Sequence, residues 1–160
     1  FRSSERTFNL LTQVAGRAGR GEDGGEVIVQ TYAPSHYAIL TAAKHDYEKF
    51  YEEEIKSRKE LLYPPFVNLV KVTVRARNDE LTLKTAQSLA EVIRAEGLTH
   101  LFVAGPAPAP IARMRGYFRY NILLKGKDRA AMCVLLRKVL GSFRKPSGVL
   151  IAVDVDPISM

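Results

Sequence analysis

The sequence predicts an α+β protein in two parts, a helix–strand–helix segment followed by a βαββαβ sandwich of the ferredoxin-like, split βαβ kind. Three observations carry this. Val70, Val72 and Val74 alternate with polar residues, the period of a half-buried strand. Two later stretches repeat apolar residues at helical spacing: Leu83, Ala86, Leu89, Ala90 and Ile93, then Met132, Leu135, Leu136 and Val139. Between the parts, Tyr63-Pro64-Pro65 stops any helix and places the boundary at residues 62 and 63.

In chain order, Ser3 to Ala18 reads as a helix, with Phe8, Leu11 and Val14 on one stripe and Gly19 and Gly21 after it. Gly24-Gly25 reads as a turn and Glu26 to Thr31 as a β-branched strand. Tyr37 to Leu61 reads as one polar helix, supported by Glu52, Glu53 and Glu54 ahead of Lys56, Arg58 and Lys59. Beyond the prolines, Phe66 to Arg77 is expected as a strand and Leu81 to Glu96 as a helix closed by Gly97. Leu101 to Ala104 is expected as a short strand, and residues 105–110, with proline at every second position, as a stiff loop. Ile111 to Lys125 reads as one strand region interrupted at Gly116. Asp128 caps a helix through Leu140, and Val149 to Val155 closes the order.

Charge divides the chain as its pattern does. The formal net charge is +7, yet residues 1–60 hold nine Lys/Arg against ten Asp/Glu, so the basic excess lies wholly beyond them. A basic domain points to a polyanionic partner, most often nucleic acid. One cysteine, Cys133, excludes a disulfide framework and sits in a helical apolar pattern as a small hydrophobe. His36, His45 and His100 are scattered and read as structural or surface residues, so no metal site is expected. No apolar run spans a membrane and no signal-peptide pattern opens the chain, so a cytoplasmic protein is expected. The chain opens on Phe1 and its first segment reads as the middle of something larger, so a fragment is expected.

Gln13-Val14-Ala15-Gly16-Arg17-Ala18-Gly19-Arg20 fits Q-x-x-G-R-x-G-R, which resembles motif VI of superfamily 2 helicases. Phosphoryl transfer is driven by positioning and charge neutralisation, and two guanidiniums three residues apart share a helical face. The glycines allow close backbone approach. His45-Asp46-Tyr47, the run Phe50 to Ile55, Tyr63-Pro64-Pro65-Phe66, residues 105–110, Arg115-Gly116 and Val153-Asp154-Val155-Asp156-Pro157 together resemble the C-terminal part of the PriA (primosomal protein N′) family of replication-restart DNA helicases. The resemblance covers nearly the whole chain. It implies the end of a RecA-like helicase lobe over residues 1–62 and a basic DNA-binding domain over 63–160. It implies ATP-dependent 3′→5′ unwinding with ATP and Mg²⁺, Arg17, Arg20 and Gln13 as catalytic residues and Gly16 and Gly19 beside the nucleotide. It implies branched or forked DNA, the tail of the single-strand DNA-binding protein and other primosome proteins as partners, and a bacterial, nucleoid-associated location. The phosphate loop, the D-E-x-H-type motif and the cysteine-rich zinc insertion of such proteins are not in this sequence, which alone is expected to be inactive as an ATPase.

In the basic part, Arg113, Arg115, Tyr117, Arg119 and Asn121 alternate with Met114, Phe118 and Tyr120. Were one strand to run across Gly116, a single face would gather three arginines and a tyrosine, suited to phosphate contact and base stacking. Lys125 joins this DNA-binding set, and Arg129, at a basic helix start, is the candidate partner-binding residue. Asp154 and Asp156 read as partners of basic residues. The alternative is a nucleic-acid-binding module without enzymology that carries a degenerate helicase remnant. The two are separated by whether a phosphate loop precedes this sequence.

Overall fold

The computed structural model describes residues 1–18 and 25–158. They form two compact units, Phe1–Leu61 and Leu62–Met160.

The first unit contains α1 (Ser3–Ala18), α2 (Tyr37–Ala43) and α3 (Tyr47–Glu60). Its small core is aromatic: Phe8 of α1 stacks on Phe50 of α3 at 4.3 Å, with Ala38 and Ala42 of α2 buried beside them. Two expectations need correction here. Tyr37 to Leu61 is two helices, because His45 takes a positive φ of 54° and Asp46 caps a new helix, its side chain accepting from the Lys49 N–H at 3.0 Å. Glu26 to Thr31 is irregular chain and not a strand, for no strand pairs with it among the described residues. Gly19, Gly21 and Gly24 lie outside the described residues.

A half-buried ion network ties α1 to α3. Arg58 donates to Glu54 at 2.7 Å and to Glu5 at 2.8 Å, Arg2 pairs with Glu5 at 2.7 Å, and the Tyr37 hydroxyl donates to Glu54 at 2.6 Å. The hydrogen bond from Arg2, then that from Arg58, outweighs burial and holds the Glu5 carboxyl at about 2. Its unfolded value lies near 4.3. A depressed carboxyl contributes stability that is complete above the unfolded value and is lost as pH falls toward the folded one. Acid titration followed by tyrosine fluorescence should therefore show the first unit weakening between about pH 4.5 and pH 2, and Glu5→Gln should flatten that window. An unchanged profile in the variant would place the acid response elsewhere.

The second unit has the order β1 (Asn68–Ala76), α4 (Asp79–Ala95), β2 (Phe102–Met114), β3 (Tyr117–Gly126), α5 (Arg129–Ser142) and β4 (Leu150–Val155). The strands form one antiparallel sheet in the order β2-β3-β1-β4. Val70, Val72 and Val74 of β1 and Ile122 and Leu124 of β3 point to one face and meet Ala86, Leu89, Ala90 and Ile93 of α4 and Met132, Leu135, Leu136 and Val139 of α5. Each large side chain buried there contributes about 1.5–3 kcal/mol of transfer free energy. Both helices start on a cap: Asn78 accepts from Leu81 N–H at 2.8 Å and Asp128 from Ala131 N–H at 2.9 Å. On α4 the inner face also takes Thr82 and Thr85, whose hydroxyls donate back to the Asn78 and Leu81 carbonyls, while Leu83 is half-buried.

The proline-rich segment, expected as a loop after a short strand, belongs to β2, a 13-residue strand. The reason is its position at the sheet edge. Prolines at 106, 108 and 110 recur with the strand period, so every missing N–H can face away from β3. Residues 111–125 are likewise two strands and not one. Arg115 and Gly116 both adopt positive φ, 51° and 81°, as the central pair of a two-residue type I′ hairpin turn. The chain reverses there, and Met114 faces Tyr117 across the turn.

Candidate nucleic-acid interface

Alternation decides which side chains leave the core. With the even-numbered valines of β1 under the helices, Lys71, Thr73 and Arg75 project from the opposite face. Pairing is direct, so their partners share it: Arg119 lies opposite Arg75, Asn121 opposite Thr73 and Leu123 opposite Lys71. Tyr117 precedes Arg119 on this face, and Leu150, Ala152 and Asp154 extend it through β4. α4 and α5 both pack on the other side.

The hairpin turn corrects the expected arginine face. Arg113 pairs with Phe118, on the helix side of the sheet, and its guanidinium lies 5.0 Å from that ring. Arg115 sits in the turn and is exposed. Tyr117 and Arg119 remain together on the open face, and the residues that join them are Arg75 and Arg77. Both guanidinium carbons lie 5.8 Å from the Tyr117 ring centroid. Sequence reasoning missed these two arginines, although Lys71, Thr73, Arg75 and Arg77 carry the polar phase of the same alternation that identified β1.

The face is cationic with little internal compensation. Lys71 pairs with Asp154 at 3.1 Å, while Arg75 is exposed directly opposite Arg119. Like charges opposed across strands destabilise a sheet, and an anion resting on both relieves the repulsion. Thr73 Oγ1 donates to Asn121 Oδ1 at 2.9 Å, so the neutral middle of the face is internally satisfied. Lys125 lies at the far end of β3, its ammonium 3.9 Å from the Tyr63 ring centroid, and burial pushes its pKa below the ordinary lysine value. Arg129 opens α5 and donates to Asp156 at 2.8 Å, which holds its pKa above the ordinary value.

In the first unit, Gln13, Gly16 and Arg17 are all exposed on the last turns of α1. Gly19 and Arg20 lie outside the described residues. Among the described residues no group of three His, Cys, Asp or Glu could hold a metal ion, and no helix is long and apolar enough to cross a membrane.

Residues 59–158 match the family model described as primosomal protein N C-terminal domain. The whole chain is 41% identical to replication restart protein PriA of Bacillus subtilis and 38% identical to that of Treponema pallidum, covering 20% and 24% of those proteins. It is 36% identical to the Thermotoga maritima protein of the same name over 98% of the chain and 20% of the relative. The chain thus spans about a fifth to a quarter of the length of these curated relatives.

Proposed function

This chain belongs to the primosomal protein N (PriA) family, and from that premise we propose that it is the C-terminal part of an ATP-dependent DNA helicase that restarts replication at stalled forks. Residues 1–62 are the end of a RecA-like lobe. Gln13, Gly16, Arg17, Gly19 and Arg20 supply one wall of a site for ATP and Mg²⁺. The guanidinium of Arg17 at the end of α1 suits the charge of a nucleotide's phosphates. Residues 63–160 are a ferredoxin-like DNA-binding domain, a reading supported by the strand order β2-β3-β1-β4 with both helices on one face. Forked DNA rests on the open face at Arg75, Arg77, Tyr117 and Arg119, with Arg115 and Lys125 at its margins, while Arg113, on the helix side, is left out of the contact. Arg129 contacts an acidic partner segment, as the tail of the single-strand DNA-binding protein would supply. Any zinc is expected in another part of the protein, where the cysteine-rich insertion implied by the family resemblance would lie. The setting is the bacterial cytoplasm.

One observation carries the DNA reading: a sheet face with arginines directly opposed across β1 and β3, beside an aromatic ring. Fluorescence anisotropy of labelled forked DNA with the 160-residue chain tests it. Binding is expected, with the logarithm of affinity falling linearly in the logarithm of salt at about 0.9 per neutralised phosphate. The same preparation should not turn over ATP. Absence of binding at the lowest salt, or binding indifferent to salt, contradicts the reading.

A further inference from the structure

We infer that a cavity at the end of the sheet, between Tyr117 and the start of α4, is a seat for a single unpaired nucleobase, with Tyr117 as its stacking platform. The inference rests on the DNA-contact reading above and adds to it a structure-selective subsite. Where β1 ends and β3 begins, a cavity of about 240 Å³ lies between Ala76, Arg77, Asn78, Leu81, Tyr117 and Gly148. It is below the roughly 300–1,000 Å³ of drug-sized pockets, a size suited to one ring system.

The wall chemistry is graded as a base requires. Ala76 and Leu81 supply an apolar floor, and Tyr117 supplies a ring. Asn78 uses its Oδ1 to cap α4 at 2.8 Å, which turns its amide Nδ2 into the group available to donate to an acceptor on a base edge. Gly148 presents no side chain, and a Cβ added there would meet nothing within 4 Å, so the mouth stays open on that side. Asp79, the residue after Asn78 in the chain, already accepts from the Tyr120 hydroxyl at 2.9 Å. A neutral base is compatible with it.

The phosphate belongs with the arginines. Arg75 and Arg77 hold their guanidinium carbons over the Tyr117 ring, both 5.8 Å from its centroid, and Arg119 lies opposite Arg75. A nucleotide whose base enters the cavity beside Tyr117 has these cations at hand for its phosphate. A paired base cannot enter, because its recognition edge and both of its faces are taken within the duplex. The seat thus reads unpaired nucleotides, such as those at a junction, while the arginines read any phosphate.

The experiment uses the 160-residue chain and three labelled DNAs that share one duplex: a blunt end, a single-stranded arm, and the same arm made of abasic nucleotides. The intact arm is expected to bind about tenfold tighter than the abasic arm, the scale of one stacked base. The salt slopes of the two arms should match, since their phosphates are identical. Tyr117→Ala should abolish the difference and Tyr117→Phe should retain it. Equal affinity for intact and abasic arms, with salt-dependent binding of both, overturns the base seat and leaves the cationic face standing. A difference that survives Tyr117→Ala also overturns it. Failure of all three DNAs to bind removes the DNA-contact reading along with it.

Discussion

Replacing Arg20 with Ala in the full-length protein should abolish nearly all DNA-stimulated ATP hydrolysis while leaving DNA affinity close to the original. The expected fall in turnover is on the order of 10³-fold or more, the contribution of an arginine that meets charge developing on the transferred phosphoryl group. Gln13-x-x-Gly16-Arg17-x-Gly19-Arg20 carries two guanidiniums three residues apart in sequence, and phosphoryl transfer is catalysed by positioned positive charge. Neither arginine belongs to the basic sheet, which is why DNA affinity should not follow. Phosphate release at saturating ATP, beside anisotropy on forked DNA, separates the two effects. Near-normal turnover in Arg20→Ala, with loss in Arg17→Ala, would transfer the role to Arg17. Normal turnover in both would remove these arginines from the chemistry.

The second large effect belongs to the open face. Changing Arg75, Arg77 and Arg119 together to Ala should weaken forked-DNA binding and flatten the salt slope by roughly two to three units, at about 0.9 for each phosphate that is no longer neutralised. Changing Lys84, Arg137 and Lys138 removes the same formal charge from the helices on the other side. Two of these are already paired, Lys84 with Glu80 and Lys138 with Glu96, each at 2.7 Å. That second variant should keep most of the slope. Titrations at several salt concentrations compare them. Equal weakening in the two variants would mean a diffuse positive field with no defined binding face.

Much of the second unit was legible because packing enforces its periods. The valines of β1 and the apolar stripes of α4 and α5 lie in one continuous core, so their spacing in sequence is their spacing in space. What stayed hidden was decided by neighbours. Prolines 106, 108 and 110 read as a loop because proline removes a donor, and only the edge position of β2 makes that loss harmless. The break between α2 and α3 lay in a left-handed His45, a conformation the residue type does not announce. The make-up of the open face was partly legible. Tyr117 and Arg119 are on the open face as alternation implied, but the Arg115-Gly116 turn sends Arg113 to the opposite side. Arg75, in β1, and Arg77, just beyond its end, lie far from Tyr117 in sequence, and no local pattern could bring them beside it.

If DNA rests on the face of the sheet away from α4 and α5, amide chemical-shift mapping on isotope-labelled chain, titrated with a short forked DNA, will show where. The largest shifts are expected at Arg75, Arg77, Tyr117 and Arg119, with α4 beyond its first turn and α5 beyond Arg129 nearly unmoved. Shifts concentrated along α4 and α5, with β1 and β3 silent, would place the DNA on the other side of the sheet.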